Sequence, residues 1–195
     1  PNFAGSVNEG DIVVGGKNFG MGSSREQAAQ VLTELGVAAV IAPSFGGIFY
    51  RNAFNLGLPA IVSDDIGKID HEHELEIDLK TGGIKNVSTG AELTGEAIPE
   101  NLLALVEAGG LVPYLEIKLK EKRALLATSI GALGFFVSIF LHNAFYALAE
   151  ISSSIPVLPT IFEFLQIIFF LAAIFLSPIL FLFGTISFIV ITRSK

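Results

Sequence analysis

The chain contains no cysteine. Disulfides, thiolate metal sites and an iron–sulfur cluster held by this chain's own thiolates are thereby excluded. Charge is also scarce in the last third. Residues 124–195 carry two bases and two acids, whereas residues 1–123 carry 10 of the 12 Lys and Arg and 17 of the 19 Asp and Glu. The whole formal charge of −7 therefore belongs to the first part. An acidic part of this kind argues against nucleic acid as a partner. Its 123 residues are enough for one modest core. No secretory signal stands at the N-terminus. The chain opens on Pro1 without an initiator methionine, which reads as a fragment or a processed chain. There is no internal repeat.

The first part has the rhythm of an α/β domain. Asp11–Gly16 is a short apolar run that ends in glycines, as a strand does. Residues 24–36 predict a helix with Ala28, Val31, Leu32 and Leu35 on one face. Ser23 with Glu26, or Ser24 with Gln27, offers a capping box at its start, and Gly36 a stop. Val37–Ala42 is a continuous apolar strand of the kind buried in a parallel sheet. A second helix is expected over 45–56, capped by Ser44 and stopped by Gly57, followed by the strand Pro59–Ser63. β-α-β-α-β with short connections predicts an α/β fold. Glu74–Leu79 then alternates apolar and charged residues, and Ile84–Val87 can pair back across the Gly82-Gly83 turn. Pro99 opens a helix that ends at Gly109-Gly110, and Leu111–Leu119 leads out of the domain.

Beyond the basic cluster of Lys118, Lys120, Lys122 and Arg123, two long runs are free of charge, Ala124–Ala149 and Phe164–Thr192. Each exceeds the ~20 residues that cross a bilayer core as a helix. Glu150, three serines, Pro156, Pro159 and Glu163 lie between them as a polar turn, and Arg193 and Lys195 close the chain. Bases outside both ends and acids in the connection predict a transmembrane hairpin over 121–195 with both termini cytoplasmic. Pro178 is expected to kink the second span. His142 and Asn143 lie inside the first span, where a polar residue is either functional or engaged in interhelical hydrogen bonding. Ala127 and Gly131 make a small-residue pair that would let two helices approach. Neither span holds a charged residue, which argues against an ion pathway.

The densest chemistry sits in Gly15-Gly-Lys-Asn-Phe-Gly-Met-Gly-Ser-Ser-Arg-Glu-Gln27. Glycines at this density allow positive φ and close approach of backbone to a ligand. Ser23 and Ser24 fall at the start of the following helix, where N–H groups and the helix dipole favour negative charge. That field, with Arg25, would lower the cost of a serine alkoxide, and Arg25 could hold a carboxylate in a bidentate fork. An ordinary N-cap serine after a glycine turn is the competing account. A phosphate-binding P-loop fits poorly, because no Lys-Ser or Lys-Thr pair follows the glycines.

Together with Val40-Ile-Ala-Pro-Ser-Phe45 and Ile48-Phe-Tyr-Arg-Asn-Ala-Phe-Asn-Leu-Gly-Leu-Pro59, this loop resembles the small subunit of 3-isopropylmalate dehydratase, the swivelling domain of the aconitase superfamily. The resemblance covers about residues 1–120 and rests on three separated motifs in order. It implies a swivel-type β/α domain with a mixed sheet and the activity of a hydro-lyase. That activity interconverts 2-isopropylmalate and 3-isopropylmalate by dehydration and rehydration in leucine biosynthesis. It implies a large partner subunit carrying a [4Fe–4S] cluster, with none bound by this chain. By motif position, Ser23 would be the base that takes the proton from the substrate carbon, while Gly22, Ser24 and Arg25 would hold the carboxylate of a small hydroxy-acid substrate. The domain would be cytoplasmic; residues 124–192, outside the resemblance, would either tether it to a membrane or be a fusion with a neighbouring reading frame.

Three departures from the family stand out. Met21 occupies a position where many members have cysteine, though not a catalytic one. The family's initial strand with its Asp-Thr-Asp motif, and the loop after it that selects the substrate side chain, do not precede Pro1. The family ends near residue 120, and the hydrophobic tail is foreign to it. A homoaconitate or methylmalate-type substrate is therefore an alternative, as is a membrane interaction protein with a vestigial swivel domain. Arg51 and Asn52 belong to the interface or substrate, or else to a solvated helix face. His71-Glu72-His73-Glu74 hints at a metal but lacks a third ligand of clear spacing, so a solvated turn is expected.

Overall fold

The computed structural model describes residues 3–22, 25–152 and 154–193. A parallel sheet of three strands, β1 (Ile12–Val14), β2 (Ala39–Ala42) and β3 (Ala60–Val62), stands in the order β1-β2-β3, with Val13 opposite Val40 and Val40 opposite Ala60. Every residue of β2 is buried, as an uninterrupted apolar run at the centre of a parallel sheet requires. The crossovers are α1 (Gln27–Glu34) and α2 (Gly47–Asn55), which touch each other, as two crossovers of one hand running in one direction must. Ala29 and Leu32 of α1 and Phe49, Ala53 and Phe54 of α2 close the core against the sheet.

The buried face of α1 is turned from the one expected. Ala28 is exposed and Val31 is 48% exposed, while Ala29 is fully buried. Alanine weighs little in a periodicity, so two faces were near equal in the sequence, and packing against α2 chose between them. The three glycine stops hold. Gly36, Gly57 and Gly109 each adopt a left-handed φ of 78 to 80°. Around each, paired hydrogen bonds close a Schellman motif, for example Val37 N–H to the Leu32 carbonyl with Gly36 N–H to Thr33.

Parallel and antiparallel strands are both present, distributed over two sheets. The second is the antiparallel meander β4 (Leu75–Asp78), β5 (Gly83–Asn86) and β6 (Glu92–Thr94). The hairpin across Gly82 matches the expected pairing. Strand β6 was not expected, because Leu93 is its one buried residue and a single apolar position shows no alternation. Asn86 is fully buried and ties the meander together. Its Nδ2 donates to the Lys68 carbonyl and contacts His73 Nδ1 at 2.9 Å, and its Oδ1 accepts from Thr89 N–H. His73 Nδ1 also accepts from Asp70 N–H, so that nitrogen carries no proton here. His73 is thus a structural acceptor within the turn, while His71 stands in solvent.

Asp65 and Asp78 each brace a turn. The Lys68 ammonium, then Thr94 N–H, hold the Asp65 carboxyl below the usual carboxylate range. The Thr81 hydroxyl, then Lys80 N–H, do the same for Asp78. A folded pKa below the unfolded one stabilises above the unfolded value. That contribution is lost as pH falls through the depressed folded value, so both turns loosen on the acid side.

Two compact units divide the chain, Pro1–Leu115 and Glu116–Lys195. The helix α3 (Glu100–Ala108) belongs to the first. Helix α4 runs unbroken over Leu111–Ile151, so residues 111–119 are its first turns and not a linker. Pro113 lies among the first N–H positions, where no intrahelical bond is forfeited, and good helix formers follow. The return leg is α5 (Leu158–Leu171), a π-turn over Ala172–Leu176 and α6 (Ser177–Arg193). The widened turn comes just before Pro178, whose missing N–H leaves the carbonyl four residues earlier without its partner. Glu150 and Glu163 lie on the helices, and the turn is shorter than expected.

The two legs meet along glycines. A Cβ at Gly131 would lie 2.8 Å from Phe181 Cα, and one at Gly184 would lie 2.8 Å from the Ala124 carbonyl oxygen. Gly131 thus serves as expected, against Phe181 and Ser177, and the second close approach is Gly184 against Ala124 and Thr128 rather than at Ala127. His142 Nδ1 is 3.1 Å from the Gln166 carbonyl, an interhelical hydrogen bond, and Asn143 donates to Ile139 of its own helix. By length and composition both legs could cross a bilayer, with mean hydropathy of 2.2 and 2.7.

Candidate functional site

The loops that follow β1, β2 and β3 all leave the carboxyl ends of a parallel sheet, where α/β folds bind ligands. The loop after β1 is the glycine-serine stretch. Several bonds fix its path. Gly15 N–H donates to the Ile41 carbonyl at 2.8 Å, and Phe19 and Phe45 form a parallel bridge that extends the β1–β2 pairing beyond the strands. Phe19 N–H donates to the Ser44 carbonyl and Gly46 N–H to the Phe19 carbonyl. Asn18 sits at φ 57°, a left-handed conformation that asparagine tolerates. Its N–H donates to Ser44 Oγ at 2.8 Å, and Ser44 Oγ contacts Asn18 Oδ1 at 3.4 Å.

Ser44 therefore does not cap α2, contrary to the expectation from its position. The N-cap is Gly46, in extended conformation and without a side-chain bond. Ser44 has instead been drawn across to the neighbouring loop. Nothing local signals this, because its partner is 26 residues away. Gly20, at φ 71°, lies against the ring of Phe49 so closely that no side chain could replace its hydrogen. Beneath the loop Phe19 packs edge-on against Phe49 at 5.2 Å, and Phe45 stacks on Phe49 at 6.1 Å. Tyr50 lies against Phe45 and Phe54. Burial, and then Glu96, push its phenol above the ordinary value, so it stays protonated at neutral pH.

Ser23 and Ser24, with the cap expected of them, lie outside the described residues. Gly22 and Arg25 flank them, both exposed. The Arg25 carbonyl accepts from Ala28 N–H at 3.0 Å, so the helical turn that continues into α1 begins at Arg25. Gly22 and Arg25 thus stand on either side of the passage from the pinned loop into the first turn leading to α1. Such a start favours an anion, and an exposed guanidinium beside it suits a carboxylate. Arg51 is exposed and Asn52 half-buried on α2, and among the described residues no side-chain hydrogen bond or ion pair holds either. Among the described residues no group of His, Asp or Glu could hold a metal ion, and there is no cysteine. A [4Fe–4S] cluster does not fit this chain's own donors.

Replacing Ser44 by alanine removes the acceptor for Asn18 N–H, a bond worth about 1 kcal/mol. The expected result is a loop displaced by part of an ångström and a drop in kcat/KM on the order of ten-fold, with threonine restoring most of it. Assays of the three forms with a large subunit check this, and equal activity in all of them would remove Ser44 from the site.

Comparison with known proteins agrees with this arrangement. Residues 6–65 match the aconitase C-terminal domain family. The chain is 52% identical over 124 residues to the isopropylmalate/citramalate isomerase small subunit of Methanocaldococcus jannaschii, covering 63% of this chain and 74% of that one. It is 49% identical over 115 residues to 3-isopropylmalate dehydratase small subunit 1 of Thermotoga maritima, covering 59% and 69%. The crystal structure of a 3-isopropylmalate dehydratase from Methanocaldococcus jannaschii superposes with a TM-score of 0.57 at 42% identity, over 64% of this chain and 71% of that one. The chain belongs to the family of 3-isopropylmalate dehydratase small subunits, built on the aconitase-type swivel domain.

Proposed function

We propose that this chain supplies half of the active site of a hydro-lyase that interconverts 2-isopropylmalate and 3-isopropylmalate, a step in leucine biosynthesis, and that a large subunit supplies the other half. The observation that carries this is the pinned loop, with Gly22 and Arg25 at the mouth of a helix. Arg25 clamps a substrate carboxylate through two parallel N–H bonds. Ser24 and the backbone at Gly22 complete that grip. Ser23 takes the proton from one substrate carbon as the neighbouring carbon loses its hydroxyl. On rehydration a proton goes to the carbon that lost the hydroxyl, while the hydroxyl of water bonds to the carbon that lost the proton. A serine base needs a strongly positive field, to which the helix start and Arg25 contribute. The [4Fe–4S] cluster, on the large subunit, supplies Lewis-acid activation of the leaving hydroxyl.

A methylmalate-type acid is a second candidate substrate. The name of the Methanocaldococcus jannaschii relative, which covers citramalate, favours it. Mixing this chain with the large subunit of either relative and following the unsaturated acid by its ultraviolet absorbance tests both. Turnover of isopropylmalate is expected. Failure to form a complex or to turn over either acid would overturn the reading.

The second unit we read as a membrane hairpin that tethers the domain on the cytoplasmic face. Its exposed apolar side chains, among them Phe136, Phe140, Phe164 and Phe183, favour lipid over water. Its bases all lie at one end, the arrangement expected of cytoplasmic ends.

A further inference from the structure

One end of the hairpin carries a set of cations that neither the hydro-lyase reading nor packing uses. Lys118, Lys120, Lys122 and Arg123 are all exposed on α4, immediately before the apolar stretch that starts at Ala124. At 1.5 Å per residue they occupy about 8 Å of helix axis, and at 100° per residue they fan over about 200° of its circumference, the rest lying on the side where Ala124, Thr128 and Gly131 face the second leg. Arg193 closes α6 and is also exposed. The glycine seam pairs Thr128 with Gly184, and carrying that antiparallel register on by nine residues in each helix brings Arg193 to the level of Leu119. Both legs therefore present bases in one layer.

Two acids, Glu116 and Glu121, share the layer, and Glu121 holds Lys118 at 3.3 Å. Among the described residues no ion pair involves Lys120, Lys122, Arg123 or Arg193. The opposite end carries Glu150 and Glu163 and no base. A protein partner would meet cations on one face. Cations fanned over the outer side of α4, with Arg193 half a turn round α6 from the seam residue Gly184, form one layer, a partial collar across two apolar helices, and match a plane of phosphates instead.

We propose that Lys120, Lys122 and Arg123, with Arg193 at the same level, bind the phosphate headgroups of anionic phospholipids. The collar makes the tether selective for an anionic leaflet. This rests on reading the second unit as a membrane hairpin. The phosphodiester of phosphatidylglycerol accepts from Lys ammonium and Arg guanidinium groups, and the apolar legs below fix the depth at which they meet. Each base near the surface strengthens that attraction by about five-fold at physiological ionic strength, before the basic layer's two acids are offset.

The test uses the full chain in vesicles made of equal parts phosphatidylcholine and phosphatidylglycerol, with spin-labelled versions of each lipid reporting which is held at the protein surface. The expected result is a preference for phosphatidylglycerol of roughly ten-fold at low salt that shrinks as salt rises. In a K120Q/K122Q/R123Q chain the preference falls close to unity while both lipids still register contact. These exposed positions leave the glycine seam intact, and the salt dependence of the unaltered chain tests the idea without any substitution. Lipid contact without preference, in the unaltered chain, would overturn the collar and leave the hairpin standing. No lipid contact at all, with the chain absent from floated vesicles, would overturn the hairpin and the collar with it.

Discussion

A Ser23→Ala chain, assembled with a cluster-bearing large subunit, is expected to lose between ~10² and ~10⁴ of its turnover, the range supplied by a positioned general base. Assembly itself should be unchanged. Among the described residues, the bonds that shape the loop run through Asn18, Phe19, Ser44 and Gly46. The loss should fall on kcat, because Arg25 still binds the carboxylate. Arg25→Lys should do the reverse. It keeps the charge but loses the planar fork, so KM rises and kcat falls less. Steady-state kinetics of both variants, with complex formation followed by size-exclusion chromatography, separate the two roles. Full turnover by the alanine variant would assign the proton to another group and return Ser23 to an ordinary helix cap.

Membrane association is expected to change from complete to absent when the chain is ended at residue 120. Residues 124–149 and 164–192 contain no charge. Leu, Ile, Phe and Val at the centre of a span each favour insertion by about 0.3 to 0.6 kcal/mol, so each leg gains several kcal/mol, against which His142 and Asn143 weigh little. His142 is further relieved by its bond to Gln166 in the other leg. The full chain should sediment with membranes and resist alkaline extraction. The shortened chain should stay in the supernatant and still complement a large subunit, because the loop, its aromatic floor and the Schellman stops all lie before residue 116. Recovery of the full chain in the soluble fraction without detergent would sink the tether, and the hydro-lyase reading would survive it.

The α/β rhythm, the three glycine stops, the hairpin of β4 and β5 and the site loop were all legible in the sequence. Each depends on short-range chemistry. A glycine at a helix end is needed because of φ at that residue, and an uninterrupted apolar run such as residues 37–42 has no stable place except between two covered faces. The two charge-free helical legs were legible for the same reason, since their length and apolar composition are read from consecutive residues. The place of α4's start was not. Residues 111–119 carry helix-forming side chains beside a proline, and that proline is harmless only in a first turn.

The sequence by itself determined the class of the domain, its glycine stops and its lack of cysteine, because each follows from residue type and spacing along the chain. Tertiary structure alone decided which face of α1 is buried, that Ser44 anchors Asn18 rather than capping α2, and that Gly131 meets Phe181, and Gly184 Thr128, across the hairpin. The last two join positions 26 or more residues apart. A hydroxyl has the same local preferences wherever it stands, and only the closing of the fold brings it within 2.8 Å of the one N–H that it holds.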